Sequence, residues 1–172
     1  LAQQVKRMAK LFGVTESGHA FATLGPEQEY FLIDREHYLR RPDLRQTGRT
    51  LFGCRSARHQ QMEDHYFGHV RPRVLAFMAE VDAELWRLGV PSKTRHNEVA
   101  PGQFELAPVF EHQNLATDNN MIAMQVLQEV AEKHGFVCLL HEKPFAGING
   151  SGKHNNWSVT GPDGRNWLSP GE

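Results

Sequence analysis

The chain has 172 residues, 40% apolar and 23% charged, with a formal net charge of -1. That balance gives no bulk electrostatic reason to bind nucleic acid or an anionic membrane. No apolar run approaches the roughly 18 residues needed to span a bilayer, and the only cysteines, Cys54 and Cys138, make neither a disulfide framework nor a four-ligand zinc site, which points to a reducing, cytoplasmic setting.

The chain opens on Leu1 rather than Met, already in a helical pattern: Leu1, Val5, Met8 and Phe12 share one face and Gly13 is a natural stop. A strand is predicted over residues 19–34, interrupted near Gly25-Pro26. Residues 35–69 have no clean period and are rich in Arg, Gln, Gly and His, so they read as a functional loop or a partner-facing insertion. A helix follows from Pro72, carrying Val74, Leu75, Phe77, Met78, Val81, Leu85 and Leu88, and ends at Gly89 and Pro91. Residues 93–110 read as short strands broken at Pro101-Gly102 and Pro108. The next helix spans 115–134, with Ile122, Val126, Leu127 and Val130 on one face and Gly135 as its stop. A strand over 136–141 and another at "NNWSV", closed by the turn "GPDG", complete the pattern. Helices and strands mix without a regular βαβ rhythm, which favours an α+β fold with a largely antiparallel sheet. The chain ends on "SPGE" with no closing element, so it is expected to be a piece of something longer.

Within the first strand, "GPEQEYFLID" places Glu27 and Glu29 two positions apart, hence on one face. Neighbouring like charges repel unless something sits between them. The stretch "HNEVAPGQFELAPVF" carries Glu98 and Glu105. Their odd spacing would send them to opposite faces of one strand, and Pro101-Gly102 argues against a helix, which leaves two strand pieces joined by a bend. Taken alone, either pair reads as solvated strand charge. Their apolar framing argues instead for a shared hard divalent cation, which wants several carboxylate oxygens. A third stretch, "GINGSGKHNNWSV", nearly matches G-x-x-x-x-G-K-[ST], but His154 replaces the hydroxyl and no helix follows, so the phosphate-loop reading fails. His154 remains either a metal ligand, a phosphate contact or a surface histidine.

These three stretches, in this order, resemble the catalytic domain of glutamine synthetase. "TGRTLFG", "EVAPGQFELAP" and "GSGKHNNWS" look most like the long bacterial type III enzymes. The resemblance implies that Glu29, Glu98 and Glu105 hold a first metal near the glutamate and ammonium sites, and that Glu27 and His154 hold a second on the ATP phosphates. It implies that Asn149 and Gly150 hold substrate glutamate, and that Phe110 and Ser158 contact nucleotide. Asn156 and Lys93 depart from the family, standing where many members carry a phosphate-contacting histidine and some an acidic nucleotide contact.

The implied fold is an antiparallel sheet curved into a partial barrel, with outer helices and the metals in its funnel. The implied reaction is ATP-dependent ligation of glutamate and ammonia through a γ-glutamyl phosphate, with Mg²⁺ or Mn²⁺ and a homo-oligomeric enzyme. Residues 1–172 would be a partial catalytic domain, lacking the small N-terminal domain and the C-terminal part. The phosphate-clamping arginines, the acidic flap and a further glutamate ligand would lie downstream, so the isolated chain is expected to have little activity. Two alternatives stay open: a γ-glutamyl ligase for another amine on the same scaffold, and a non-catalytic assembly module.

Overall fold

The computed structural model describes residues 1–15 and 17–170. In chain order its elements are α1 (Ala2–Leu11), β1 (Phe21–Asp34), α2 (Arg35–Leu39), α3 (Pro42–Thr47), a 3-10 turn (Gln61–Glu63), α4 (Pro72–Arg87), β2 (Ser92–Asn97), β3 (Gln103–Pro108), β4 (Glu111–His112), α5 (Gln113–Lys133), β5 (Phe136–Leu139) and β6 (Lys153–Thr160).

One strand organises the sheet. Along one edge β1 pairs antiparallel with β6 (Phe21 to Gln28) and then β5 (Phe31 to Asp34). Along the other it pairs with β4 (Thr23 and Leu24) and then β3 (Gln28 to Phe31), and β2 lies outside β3. The strand runs unbroken through Gly25-Pro26, where an interruption is predicted. The hydrogen bonds explain why. The Glu29 N–H points to the β6 edge, toward Gly152 O, and the Leu32 N–H points to the β3 edge, toward Gly102 O. By alternation the Pro26 nitrogen faces the β3/β4 edge, in the gap between the two short partners. A missing donor there costs no ladder bond.

Even-numbered β1 side chains face the helices. Tyr30 and Leu32 join Phe77, Met78, Val81 and Leu85 of α4 and Val126, Leu127 and Val130 of α5 in the main core. Phe77, Leu85 and Leu127 are fully buried, each worth about 1.5–3 kcal/mol of burial. Pro72 in the first turn and Gly89 at φ 79° bound α4, while Gly135 at φ 70° follows α5, as the punctuation of the sequence requires. Buried Asp82 of α4 accepts the Ser92 hydroxyl at 2.8 Å and pairs with Arg95, which ties β2 to this layer.

Odd-numbered β1 side chains face the other way. Near Asp34 that front face is covered by Leu44, Ala100, Leu139, Phe145 and Ile148 packed on Phe31 and Ile33. Residues 35–69 are more ordered than their lack of period suggests: they contain α2, α3 and the 3-10 turn. Helices of five or six residues complete little more than one turn, so no period shows. Asp43 anchors the region, accepting from Arg41 at 3.0 and 2.6 Å and from the Leu44 and Leu51 amides. Those donors, Arg41 foremost, hold its carboxyl well below the usual range.

The antiparallel α+β expectation therefore holds, with helices layered on the sheet. The strand path is open and forms no closed barrel among the described residues. None of the described helices is long and apolar enough to cross a membrane.

Candidate metal and substrate site

The register places the acidic residues together. Directly opposed residues of antiparallel strands share a face. Glu29 is opposite Glu105, Glu105 is opposite His96, and Glu27 is opposite His154. Since Glu27 and Glu29 share the front face, so do Glu105, His96 and His154. Glu98 follows His96 by two residues, and its amide donates to Gln103 O at 2.8 Å. The bend predicted at Pro101-Gly102 is the turn of the β2–β3 hairpin, with Gly102 at φ 72°.

Within this row the contacts are specific. His154 Nδ1 lies 2.7 Å from Glu27 Oε2. His96 Nε2 lies 2.9 Å from Glu105 Oε2. His96 Nδ1 donates to the Asn97 carbonyl oxygen at 2.8 Å, because a carbonyl only accepts, so the ring is held at both nitrogens. His96, Glu98 and Glu105 present ligand atoms all within 4.8 Å of one another. Glu29 stands outside that trio: its Oε2 accepts the Gly152 N–H at 2.8 Å. The three glutamates assigned to the first metal thus share a face, but the tight group substitutes His96 for Glu29.

The electrostatics are those of crowded negative charge. Burial, then the charges of Glu27 and Glu98, push the Glu105 carboxyl up to about 7, against an opposing pull from His96. Burial and the Glu29 charge raise Glu98 as well. Tyr66 is drawn into the same field: desolvation, then Glu98, Glu105 and Glu27, raise its phenol, and its ring packs 5.2 Å from that of His96.

The glycine-rich stretch runs as a loop into β6, not into a helix, as its asparagines and β-branched residues indicate. Three supports hold the loop. Buried Gln103 donates to Gly150 O at 2.8 Å and to Ser151 Oγ at 3.2 Å. The Ser151 N–H donates to Glu142 O at 2.8 Å. Gln60 bonds Asn149 through both ends of its amide. A side chain at Gly150 would strike the Glu142 carbonyl, so only glycine fits. Ser158 Oγ shares a 2.7 Å hydrogen bond with Thr23 Oγ1, on the same front face. Phe110 is exposed and packs beside Gly25. Asn156 lies opposite Gly25, and Lys93 sits exposed at the bulge of β2.

Sequence reasoning missed His96, Tyr66, Gln60 and Gln103. His96 was findable, because it precedes Glu98 by two on a strand. The other three bear on the site through tertiary contacts that no local spacing announces.

Residues 3–172 match the family model described as "Glutamine synthetase, catalytic domain". The chain is 54% identical over its whole length to a glutamine synthetase of Butyrivibrio fibrisolvens, of which it covers 25%. It is 60% identical over 149 residues, 87% of the chain, to a type-3 glutamine synthetase of Dictyostelium discoideum, of which it covers 20%. The chain therefore spans about a quarter or less of the length of these curated relatives. Among solved structures it is similar in fold to GmaS without ligand, at a TM-score of 0.63 and 23% identity, over 99% of this chain and 36% of that one.

Proposed function

Because the chain belongs to the glutamine synthetase catalytic-domain family, as the type III resemblance anticipates, we propose that the protein containing it ligates glutamate and ammonia, with ATP as phosphoryl donor. The observation that carries this reading is the front-face row of Glu27, Glu29, Glu98 and Glu105 with His96 and His154. Its clustered carboxylates, among them Glu105 raised by burial and then by the Glu27 and Glu98 charges, ask for cations.

The donor set fits hard divalent ions, being rich in carboxylate oxygen with few imidazoles, which suits Mg²⁺ or Mn²⁺. Glu29, Glu98 and Glu105 would hold one near the substrate carboxylate, with His96 steadying Glu105. Glu27 and His154 would hold another at the ATP phosphates. Such ions neutralise phosphate charge and polarise the bonds that break.

A carboxylate is a poor electrophile, so the chemistry runs in two steps. A γ-carboxylate oxygen of glutamate attacks the γ-phosphorus of ATP, the bond to ADP breaks, and γ-glutamyl phosphate forms. Ammonia then attacks the acyl carbon, the C–N bond forms, phosphate leaves and a proton is lost. Positioning and charge neutralisation supply most of the rate in phosphoryl transfer. On this reading Asn149 and Gly150 hold the amino-acid substrate, while Ser158 and Phe110 line the nucleotide side. The Asn156 and Lys93 departures alter only that side.

The 172 residues would be one part of a cytoplasmic, homo-oligomeric enzyme's catalytic domain. The barrel curvature and the remaining phosphate ligands would come from the rest of it, and the isolated stretch would turn over little. The test is phosphate release by the full-length protein with ATP, glutamate, ammonia and Mn²⁺ or Mg²⁺, run beside a panel of other amines. Glutamine formation abolished by chelation is expected. No turnover with either metal, or preference for another amine, overturns the reading.

A further inference from the structure

The segment from Gln60 to Tyr66 carries two successive non-glycine residues with positive φ, Met62 at 54° and Glu63 at 56°. Such backbone is unfavourable for an L side chain and persists only where its surroundings hold it. The holding contacts lie at the two ends of the segment. At one end Tyr66 packs on His96 and Phe67. At the other, Gln60 reaches across to the glycine-rich loop and meets Asn149 in a paired contact: the Asn149 N–H donates to Gln60 Oε1 at 2.7 Å, and Gln60 Nε2 donates to Asn149 Oδ1 at 3.1 Å.

That pairing settles the orientation of both amides. A backbone N–H can only donate, so the Gln60 oxygen must face it. The Gln60 nitrogen must then face Asn149, which requires the Asn149 oxygen on that side. Asn149 Nδ2 is left as the donor, with no hydrogen-bond partner among the described residues. That donor faces solvent on the same loop whose Gly152 N–H meets Glu29, and an oriented amide donor there suits an anionic amino-acid substrate.

We propose that Gln60 is a positioning residue for the substrate loop: it orients the Asn149 amide so that a donor, not an acceptor, meets the carboxylate of the incoming amino acid. The inference rests on the reading of Asn149 as a substrate contact and adds the residue that sets its orientation. It also gives residues 35–69 a role, as the wall from which the loop is steadied.

The test uses the full-length protein. Two lost hydrogen bonds at a preorganised contact correspond to about a tenfold rise in glutamate KM for Gln60→Ala. KM for ATP should stay within about twofold, kcat should change less than the glutamate KM, and any fall in Tm should be small, because Tyr66 on His96 still holds the other end of the segment. Gln60→Glu keeps the acceptor but loses the donor, so it should also raise glutamate KM. In an Asn149→Ala background, Gln60→Ala should add less than about twofold. An active protein whose glutamate KM ignores Gln60→Ala, or whose two KM values rise together with a fall in Tm, overturns the inference alone. So do additive effects in the double variant, or wild-type behaviour of Gln60→Glu. A wild type that makes no glutamine overturns the underlying reading, and this inference with it.

Discussion

The two faces of β1 are built from alternate residues of one strand and do opposite work. Gln28, Tyr30 and Leu32 turn to the helices, where burial supplies the stability. Glu27 and Glu29 turn to the front, where they join Glu98 and Glu105 in a row whose like charges oppose folding. The lesson is that the back layer makes the front face affordable: a rigid, apolar support can hold a repulsive arrangement that would splay if it stood alone.

The largest effect should come from breaking the support. Phe77→Ala on the back should destabilise by about 3–5 kcal/mol in urea titration, while the remaining folded protein keeps its response to Mn²⁺. A selective loss of that response would show the faces to be less separable than the alternation implies.

Next comes the front itself. Mn²⁺ at about a hundred times its Kd should stabilise the protein by about 2.7 kcal/mol. Glu29→Gln should remove most of this in a thermal melt, without lowering the metal-free Tm. If the variant keeps the full Mn²⁺ shift, Glu29 is not among the ligands, and the tighter His96, Glu98 and Glu105 group becomes the better candidate.

The charge cost of the front face has its own pH signature. The Glu105 carboxyl is raised from its ordinary 4.5 to about 7 in the folded protein. Below the lower value both folded and unfolded forms are protonated, and nothing is lost. Between the two, the unfolded chain ionises first and the folded state is left behind, so metal-free stability should fall as pH rises toward about 7. Glu105→Gln should flatten that fall, with a gain of about 1–3 kcal/mol at pH above it. Metal binding runs the other way and should strengthen over the same interval, since the bound form needs the carboxylate. A wild-type profile as flat as the variant's would mean the front face carries no such penalty.

The smallest effect tests the strand between the two faces. Pro26→Ala should cost no more than about 1 kcal/mol, chiefly through unfolded-state entropy, because its nitrogen faces the gap between β3 and β4. A gain in Tm would show that an acceptor meets that edge after all, and a larger loss would show that the buried Pro26 ring carries packing of its own.

Much of this was legible along the chain. The helices beginning at Pro72 and ending before Gly135 follow from apolar spacing and terminal punctuation, and the hairpin around Pro101-Gly102 follows from two strand pieces that could not be continuous. Residues 35–69 were not legible as helix, because α2 and α3 are too short to repeat a face. The break predicted at Gly25-Pro26 fails because a proline's cost in a strand depends on which edge its nitrogen meets. Nothing local marks Gln103, because its partners Gly150 and Ser151 lie some fifty residues further along the chain.

Local order by itself decided that Glu27 and Glu29 share a face and that His96 shares one with Glu98, because a strand's period of two is a property of the backbone. Only the tertiary pairing decided that these are the same face, with Glu29 against Glu105 and Glu27 against His154. Register between distant strands is set by the sum of many packing and hydrogen-bond choices across the sheet, and no window of sequence contains that sum.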